Sequence, residues 1–315
     1  MVNVSREEQL VASQPDLLSV GLVVPLFRSE RHLPELVAYV NQFVAKVSYQ
    51  VVLTLVVDGC QASEIAAREV ICQFDCSVRL IVLSRNFGVN GALRAGLANQ
   101  SESLSIAFGS DLQEPLDLLV TFVNRMGTGD LDFVFGQRLK RDDPFFSRAA
   151  SALYWWINRK FVFRDSPRGG FDVFTCNSVA REALLNMKEA RTNITSQMLW
   201  LGFRREFVGF ERRARTSGRS TWTLRKKMRL FIDSIFSFSD IPFQILNLLC
   251  VLTVASLLLA ISVDETSSFI ALAVVTLGAS FQISQFAIAR IHELTRNRPL
   301  YVIQSVEEFP KMVDR

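Results

Sequence analysis

Two long runs without a charged residue, near the C-terminus, constrain the fold of this 315-residue chain more than any other feature. Residues 241–263 and 266–289 contain no Asp, Glu, Lys or Arg. A helix of about 20 apolar residues crosses the hydrocarbon core of a bilayer, so each run is long enough to span a membrane. The alternative is a pair of buried helices in a soluble core, which the uncharged length and the C-terminal position disfavour. We therefore predict two transmembrane helices, at about 241–263 and 268–290.

Charges beside these runs predict how the chain lies in the membrane. The short join between the runs is acidic, whereas the outer flanks are basic. The basic residues are Arg225, Lys226, Lys227 and Arg229 before the first run, and Arg290, Arg296 and Arg298 after the second. Basic flanks stay in the cytoplasm, which predicts a cytoplasmic position for both flanks and for the whole N-terminal part. The polar, acidic start at residues 1–16 does not have the pattern of a signal peptide.

Short apolar runs alternate with helical patterns through the N-terminal part of the chain. Predicted strands occupy residues 19–25, 51–57, 78–83, 106–108, 132–135, 171–174 and 207–210. Predicted helices occupy residues 33–44, 90–98, 145–161, 178–187 and 194–201. This alternation predicts an α/β fold with a mostly parallel sheet. Ligands of such sheets bind beyond the carboxyl ends of the strands, where Asp58, Arg85, Asn86 and Asp111 stand.

One of these strand ends carries residues suited to a metal ion. The apolar run 106–108 is followed by Asp111 and Gln113, and Pro115 opens a helical pattern. A carboxylate and an amide oxygen suit a hard divalent cation that holds a diphosphate. On this local pattern alone, Asp111 could equally cap the following helix.

Further polar residues extend the candidate site. Arg138 and Arg148 could bind an anionic substrate, because guanidinium groups match phosphate geometry, or could be surface ion-pair partners. Asp58 could accept hydrogen bonds from a nucleoside or belong to a tight Asp-Gly turn. The chain has only two histidines, His32 and His292, and its five cysteines form no CxxC pair. A histidine-based metal site or catalytic triad is therefore not expected.

The segment that precedes the first apolar run is strongly basic. Ten basic and two acidic residues lie between Arg204 and Arg229, and apolar side chains are interleaved with them from Trp222 onwards. Next to a spanning helix, this pattern favours an amphipathic helix on an anionic membrane surface over an ordinary solvated helix. We predict this juxtamembrane element at residues 216–240. Nucleic-acid binding is not expected, because no motif for it is recognisable.

Seven short pieces stand in a distinctive order. They are Val23-Val24-Pro25, Val57-Asp58-Gly59, Ser84-Arg85-Asn86-Phe87-Gly88, Ser110-Asp111-Leu112-Gln113-Glu114-Pro115, Gly136-Gln137-Arg138, Gly169-Gly170-Phe171-Asp172 and Arg215-Thr216-Ser217-Gly218-Arg219-Ser220-Thr221-Trp222. Followed by two apolar runs, this order resembles the family 2 glycosyltransferases of the GT-A fold. More narrowly, it resembles the polyprenyl-phosphate glycosyltransferases, such as dolichyl-phosphate mannosyltransferase and the bacterial undecaprenyl-phosphate sugar transferases.

The resemblance implies a domain plan and a reaction. It implies a Rossmann-like GT-A domain at 1–215, the juxtamembrane segment at 216–240, two spans within 241–291 and a cytoplasmic C-terminal tail at 292–315. The reaction is inverting transfer of a sugar from a nucleotide-diphosphate sugar to polyprenyl (undecaprenyl) phosphate, at the cytoplasmic face of the inner membrane. The product would be a lipid-linked sugar for cell-envelope glycans. Such an acceptor needs little or no general base, because its phosphate oxygen is already ionised.

The resemblance also assigns roles to residues. Asp111 and Gln113 would hold Mg²⁺ or Mn²⁺ on the donor diphosphate. Arg138 and Arg148 would hold the acceptor phosphate, and with Asp111 they make up the expected catalytic set. The residues expected around the donor nucleotide and its diphosphate are Pro25, Asp58, Asn86, Ser110, Asp111, Arg215 and Ser220.

Two departures from the family pattern remove acidic charge from the expected site. The family usually has two aspartates where this chain has Val57-Asp58, and a carboxylate pair where this chain has Gly109-Ser110-Asp111. Loss of acidic groups raises an alternative hypothesis, a catalytically impaired scaffold or binding protein of the same fold. Because the metal-holding aspartate is kept, we expect an active enzyme.

The expected partners are a nucleotide-diphosphate sugar, a polyprenyl phosphate, the lipid bilayer and further copies of the chain. The last expectation rests on polar residues within the apolar runs, which would pair between helices or between subunits. These residues are Gln244, Asn247, Gln282 and Gln285. A transporter or channel is disfavoured, because two spans are few.

Overall fold

The computed structural model describes residues 19–139, 159–160, 163, 167, 171–189, 193–212, 232–233, 235–262, 266–296 and 298–311. Three predicted site residues, Arg148, Arg215 and Ser220, lie outside these ranges. So do most of the predicted helix at 145–161 and most of the basic segment at 216–240.

Strands and helices alternate through the N-terminal part, as predicted. The strands are β1 (Ser19–Leu26), β2 (Gln50–Val57), β3 (Ser77–Leu83), β4 (Leu104–Ala107), β5 (Phe133–Arg138), β6 (Phe171–Asn177) and β7 (Arg205–Phe210). The helices are α1 (Leu33–Lys46), α2 (Gln61–Val70), α3 (Val89–Ala98), α4 (Leu116–Met126), α5 (Ser178–Asn186) and α6 (Ile194–Trp200). Helix α2 was not predicted, because it buries only the small side chains of Ser63 and Ala67 and has few apolar residues to mark it.

All strands of the described residues belong to one sheet of eight, in the order β7-β5-β6-β4-β1-β2-β3-β8, where β8 is Ile303–Phe309. Neighbours are parallel between β1 and β2, β2 and β3, β1 and β4, and β5 and β7. Strand β6 is antiparallel to β4 and β5, and β8 is antiparallel to β3. The prediction of a mostly parallel α/β sheet is confirmed.

Part of the segment predicted as a C-terminal tail, residues 292–315, belongs to the sheet. Residues 303–309 are strand β8, which pairs with β3 and forms one edge of the sheet. Its side chains alternate between half-buried and exposed, and Glu307 and Glu308 form ion pairs with Arg68 and Arg79. The sequence suggested a tail because a short, half-exposed strand with two glutamates has no continuous apolar run.

The core lies on both faces of the sheet, as the alternation of strand side chains requires. In β1, Val20, Leu22 and Val24 pack into one cluster with α1 and α4, whereas Val23 packs into the other with α3. Full burial of a Val or Leu side chain stabilises the fold by about 1.5–3 kcal/mol. The two clusters therefore fix both faces of the central strands, and with them the positions of the loops at the strand ends.

Two apolar helices follow the sheet domain, α7 (Ile241–Ser262) and α8 (Thr266–Thr295). By length and composition, Ile241–Ile261 and Ser267–His292 could each span a membrane. The helices form a hairpin in which the hydroxyl groups of Thr253 and Thr276 lie 2.7 Å apart. Both predicted helices are present, and α8 continues beyond the predicted end at residue 290.

Candidate active site

The predicted site residues that the structure describes gather at the carboxyl ends of the strands. Pro25 lies in β1, one residue before its end, and Asp58 follows β2 directly. Asn86 lies in the loop between β3 and α3, and the turn with Ser110 and Asp111 follows β4. The sheet therefore brings together the residues that the sequence placed at a cleft.

Asp58 holds two strand-end loops together. Its side chain is 3% exposed, and its two carboxylate oxygens accept hydrogen bonds from the backbone N–H groups of Phe87 (2.7 Å) and Gly88 (2.9 Å). Burial raises the pKa of the Asp58 carboxyl, although these hydrogen bonds and the charge of Arg85 act in the opposite direction. This contact gives Asp58 a structural role in the cleft, while its contact with a nucleoside stays a prediction.

Gly59 allows these two loops to approach each other. Its φ is +62°, in the left-handed region, and a Cβ atom there would lie 2.2 Å from the backbone carbonyl carbon of Arg85. Only glycine fits both constraints. The Asp-Gly pair after β2 therefore sets the position of the loop that carries Asn86.

Asp111 lies in a tight turn and does not cap helix α4. The N-cap of that helix is Pro115, without a side-chain hydrogen bond, so the capping alternative for Asp111 is wrong. Leu112 has φ +49°, an uncommon conformation for a residue with a side chain. A Cβ atom on Gly109 would lie 2.8 Å from Oδ1 of Asp111. The carboxylate of Asp111 thus occupies the space that a side chain at position 109 would need.

Serine hydroxyl groups anchor this turn to the end of β1. Ser110 Oγ and Ser29 Oγ lie 2.9 Å apart, and the backbone N–H of Ser29 donates to Ser63 Oγ at 3.0 Å. Ser63 Oγ in turn donates to Oε1 of Glu30 at 2.9 Å. Ser110 was predicted to bind the donor, and in this structure its side chain positions the turn that contains Asp111.

Four charged side chains from different parts of the chain, Asp111 among them, form one cluster. Arg212 Nη2 lies 3.9 Å from Oδ2 of Asp111 and 4.0 Å from Oδ2 of Asp172. Arg138, at the end of β5, donates a hydrogen bond to the same Oδ2 of Asp172. The structure therefore brings the predicted residues Asp111 and Arg138 into one cluster of alternating charge.

Sequence reasoning missed Asp172 and Arg212 as site residues. Asp172 stood in one of the pieces that carry the family resemblance, so that piece was the available signal. Arg212 was counted only as part of the basic stretch between Arg204 and Arg229. No pattern in the sequence placed its guanidinium group near Asp111.

Glu114 is a further carboxyl group at this site that the sequence did not single out. It is 2% exposed, and its Oε2 has no hydrogen-bond partner among the described residues. Burial raises the pKa of the Glu114 carboxyl, and the negative charge of Asp111 raises it further, against the opposing charges of Arg212 and Arg138. The neighbouring Gln113 is 5% exposed.

The oxygen atoms of this turn fit a hard divalent cation. Among the described residues, no group of three or more His, Cys, Asp or Glu side chains is placed to hold a metal ion. Mg²⁺ does not require such a cage, because it is commonly bound by one or two carboxylates together with substrate phosphates and water. Asp111 supplies one such carboxylate, and Gln113 is an amide residue of the same segment.

Comparison with known proteins identifies relatives across most of the chain. The profile of glycosyl transferase family 2 matches residues 22–186. An uncharacterised glycosyltransferase of Synechocystis sp., sll0501, is 26% identical over 309 residues, which cover 92% of this chain and 96% of that protein. The putative glycosyltransferase CsbB of Bacillus subtilis is 29% identical, over 73% of this chain and 74% of its own length.

A second kind of relative carries a more specific name. The bactoprenol glucosyl transferase of Shigella phage SfV is 27% identical over 235 residues, which cover 72% of this chain and 74% of that protein. Among solved structures, glucosyl-3-phosphoglycerate synthase from Mycobacterium tuberculosis, in complex with Mn²⁺, uridine diphosphate and glucosyl-3-phosphoglycerate, is similar over 69% of this chain and 77% of that one. The TM-score is 0.48 and the sequence identity 16%.

Proposed function

This chain belongs to glycosyl transferase family 2 and is a glycosyltransferase, and we propose that it transfers a sugar from a nucleotide-diphosphate sugar to polyprenyl phosphate. The observation that carries the proposal is the cluster of Asp111, Arg212, Asp172 and Arg138, on a chain that also has two apolar helices. The names of the bactoprenol glucosyl transferase relatives support a polyprenyl acceptor.

The donor side of the proposed site is the turn after β4. Asp111 and Gln113 would hold Mg²⁺ or Mn²⁺ there, and the bound ion would neutralise charge on the departing diphosphate. Arg212, 3.9 Å from Asp111, adds a guanidinium group that matches phosphate geometry. The loop that Asp58 holds, with Asn86, would line the nucleoside part of the donor.

The acceptor side of the proposed site is built around Arg138. Its hydrogen bond to Asp172 orients the guanidinium group, which would bind the acceptor phosphate together with Arg148. An oxygen of that phosphate would attack the anomeric carbon while the bond from this carbon to the diphosphate breaks, so the anomeric centre inverts. We place this step at the cytoplasmic face of the inner membrane, because the basic flanks of the apolar helices predict that orientation.

A non-catalytic scaffold of the same fold is the second candidate function. Its supporting observation is the absence of acidic side chains at Val57 and Gly109. Val57 is fully buried in the core cluster that contains α1 and α4, where an unpaired charge would be costly. A scaffold predicts binding of nucleotide or lipid without turnover.

One assay separates these two functions. The purified full-length chain would be incubated with a panel of radiolabelled nucleotide sugars, undecaprenyl phosphate, and Mg²⁺ or Mn²⁺. We expect a lipid-linked sugar from at least one donor, and none when the lipid is omitted or the metal is chelated. Metal-dependent binding of nucleotide without any labelled lipid, across the whole panel, would support the scaffold and overturn the proposed transfer.

A further inference from the structure

Four buried polar atoms at the end of the sheet away from the candidate active site have no hydrogen-bond partner among the described residues. They are Oγ1 of Thr54, Nη1 of Arg79, and Nε2 and Oε1 of Gln100. Each of these three residues is at least nine-tenths buried. Folded proteins leave few buried polar groups unsatisfied, and a bound molecule is one way to satisfy them.

Strand pairing places these residues side by side. Thr54 on β2 is the register partner of Arg79 on β3, and Gly21 on β1 pairs with Val52, two residues before Thr54. A Cβ atom on Gly21 would lie 2.4 Å from Nε2 of Gln100, so the amide of Gln100 lies over Gly21. Because strand side chains alternate, positions 21, 54 and 79 all face the side of the sheet that packs against α3. The unsatisfied atoms therefore share one face of three neighbouring strands.

A cavity of about 500 Å³ lies next to these residues. Its lining includes Val52, Arg79 and Ser101. It is thus bordered by the register partner of Thr54 and by the residue that follows Gln100. Pockets for small molecules commonly have volumes of about 300–1,000 Å³. The cavity and the unsatisfied atoms together have the features of a small-molecule site.

The cavity is separate from the candidate active site. Strand β2 begins at Gln50, which also lines the cavity, and ends at Val57, next to Asp58. A parallel strand rises by about 3.3 Å per residue, so the two ends of β2 are roughly 23 Å apart. A ligand in this cavity would therefore not occupy the cleft at Asp58 and Asp111.

The charges around the cavity favour an uncharged ligand. Arg79 Nε donates a hydrogen bond to Glu308 at 2.9 Å, and Arg79 Nη1 lies 3.8 Å from Glu102, too far for a hydrogen bond. Both carboxylates line the cavity together with Arg79. An anionic ligand would meet Glu102 and Glu308, whereas a cationic one would meet Arg79. A neutral ligand avoids both repulsions.

The unsatisfied atoms include hydrogen-bond donors as well as an acceptor. Nη1 of Arg79 and Nε2 of Gln100 donate, Oε1 of Gln100 accepts, and the hydroxyl group of Thr54 can do either. A hydroxyl group on a ligand also donates and accepts, so a molecule with several hydroxyl groups can satisfy all four atoms.

We propose that this cavity binds a compact, uncharged polyhydroxy molecule with the chemistry of a hexose. Ligand hydroxyl groups accept from Arg79 Nη1 and Gln100 Nε2, and one of them donates to Gln100 Oε1. The hydroxyl group of Thr54 bonds to a further one. This site is additional to the cleft, and the inference is independent of the proposed transfer reaction.

Titration of the full-length chain with sugars tests the ligand class. The protein, in a detergent without a sugar headgroup, would be titrated calorimetrically with glucose, mannose and galactose, and with the amino sugar and uronic acid of each. We expect saturable binding of at least one hexose and weaker binding of its charged counterparts. The variant Asp111→Asn should bind that hexose like wild type, because the cleft is separate. Absence of saturable hexose binding, or tighter binding of a charged counterpart, would overturn the proposal. So would loss of hexose binding in Asp111→Asn.

Two variants that remove the unsatisfied atoms test the location of the site. Thr54→Val and Gln100→Met keep nearly the same side-chain volume, and each should weaken hexose binding by roughly three- to tenfold. Thr175→Val is the matched control. Thr175 is also fully buried with an unsatisfied hydroxyl group, but it lies on β6, three strands from β2.

Thermal unfolding separates a loss of binding from a loss of folding. Without sugar, Thr54→Val and Thr175→Val should unfold at or above the wild-type midpoint, because neither hydroxyl group has a partner to lose. Added hexose should raise the midpoint of wild type and Thr175→Val more than that of Thr54→Val or Gln100→Met. Wild-type hexose affinity in both cavity variants, or an equal loss of affinity in Thr175→Val, would overturn the assignment of this cavity.

Discussion

At the scale of single residues, two glycines lie next to the acidic groups of the cleft and leave room for their present positions. Gly59 lets the loop after β3 approach β2, so that Asp58 can hold its backbone. Gly109 leaves the space that the carboxylate of Asp111 fills. A side chain at position 109 would require the carboxylate of Asp111 to shift from its present position.

Replacing Gly59 with alanine tests the first of these constraints. The Gly59→Ala variant should lose about 2–4 kcal/mol of unfolding free energy, because its Cβ would collide with the backbone of Arg85 at a strained φ. Gly129→Ala is the matched control. Gly129 also has a positive φ, of +76°, but a Cβ atom there would have no neighbour within 4 Å, so only about 1 kcal/mol should be lost. Denaturant unfolding in detergent measures both, and equal losses would contradict this account.

The buried carboxyl of Glu114 predicts a pH dependence of stability. Its pKa is raised in the folded state, so the folded protein binds this proton more strongly than the unfolded chain does. The resulting stability is present at low pH and is lost as pH rises through the raised pKa. Glu114→Gln should therefore gain in thermal-unfolding midpoint relative to wild type as pH increases.

The surface variant Asp117→Asn serves as the control for that series, because the Asp117 side chain is 84% exposed. The thermal-unfolding midpoint of this variant should change with pH in the same way as that of the wild type. A constant difference between Glu114→Gln and wild type across the series would argue against a perturbed Glu114.

The sequence predicts only part of the site at this scale. Asp58 and Asp111 could be placed at strand ends, because an apolar run that stops at a polar residue marks that position. Asp172 and Arg212 could not be paired with them. Asp172 lies in β6 and Arg212 follows β7, so their proximity to Asp111 depends on the order of the strands in the sheet. Local sequence patterns do not encode that order.

At the scale of elements, the edge strand β8 connects the chain after α8 to the sheet. Arg79 on β3 pairs with Glu308 on β8 at 2.9 Å and lies 3.8 Å from the buried carboxylate of Glu102. The backbone N–H of Ser84 also donates to the carbonyl of Val302 at 3.0 Å. The segment after the apolar helices therefore contacts the loop that begins at Ser84 and runs to the donor side of the cleft.

Removing the guanidinium group of Arg79 tests this connection. Arg79→Met should cost about 2–3 kcal/mol of unfolding free energy, because the carboxylate of Glu102 stays buried without its cation. Adding Glu102→Gln should restore much of the loss. Glu308→Gln alone should change little, because its side chain is largely exposed. If Arg79→Met unfolded like wild type, the buried pair would not contribute to stability.

The elements that sequence analysis missed share one property. Strands with continuous apolar runs and helices with a clear apolar face were predicted to within a few residues. Helix α2 and strand β8 expose much of their surface and bury few large apolar side chains, so no apolar run marks them in the sequence. Strand β8 in addition depends on pairing with β3, more than 200 residues earlier in the sequence.

At the scale of the whole molecule, the apolar hairpin is connected to both edges of the sheet. Strands β7 and β8 are the outermost strands on opposite sides, and α7 and α8 lie between them in the sequence. A hairpin joined to the sheet domain at both ends restricts how that domain can turn relative to a membrane. This connectivity suits the proposed transfer to a lipid acceptor.

The most direct test of the proposed function is the rate of lipid-linked sugar formation by Asp111→Asn. With the productive donor and undecaprenyl phosphate, this variant should lose roughly a hundredfold or more in kcat, because the charge that would hold the cation is removed. Asp117→Asn, on the exposed surface of α4, is the matched control and should keep wild-type turnover. An Asp111→Asn variant that transfers sugar as fast as wild type would contradict the assignment of this turn as the metal and diphosphate site.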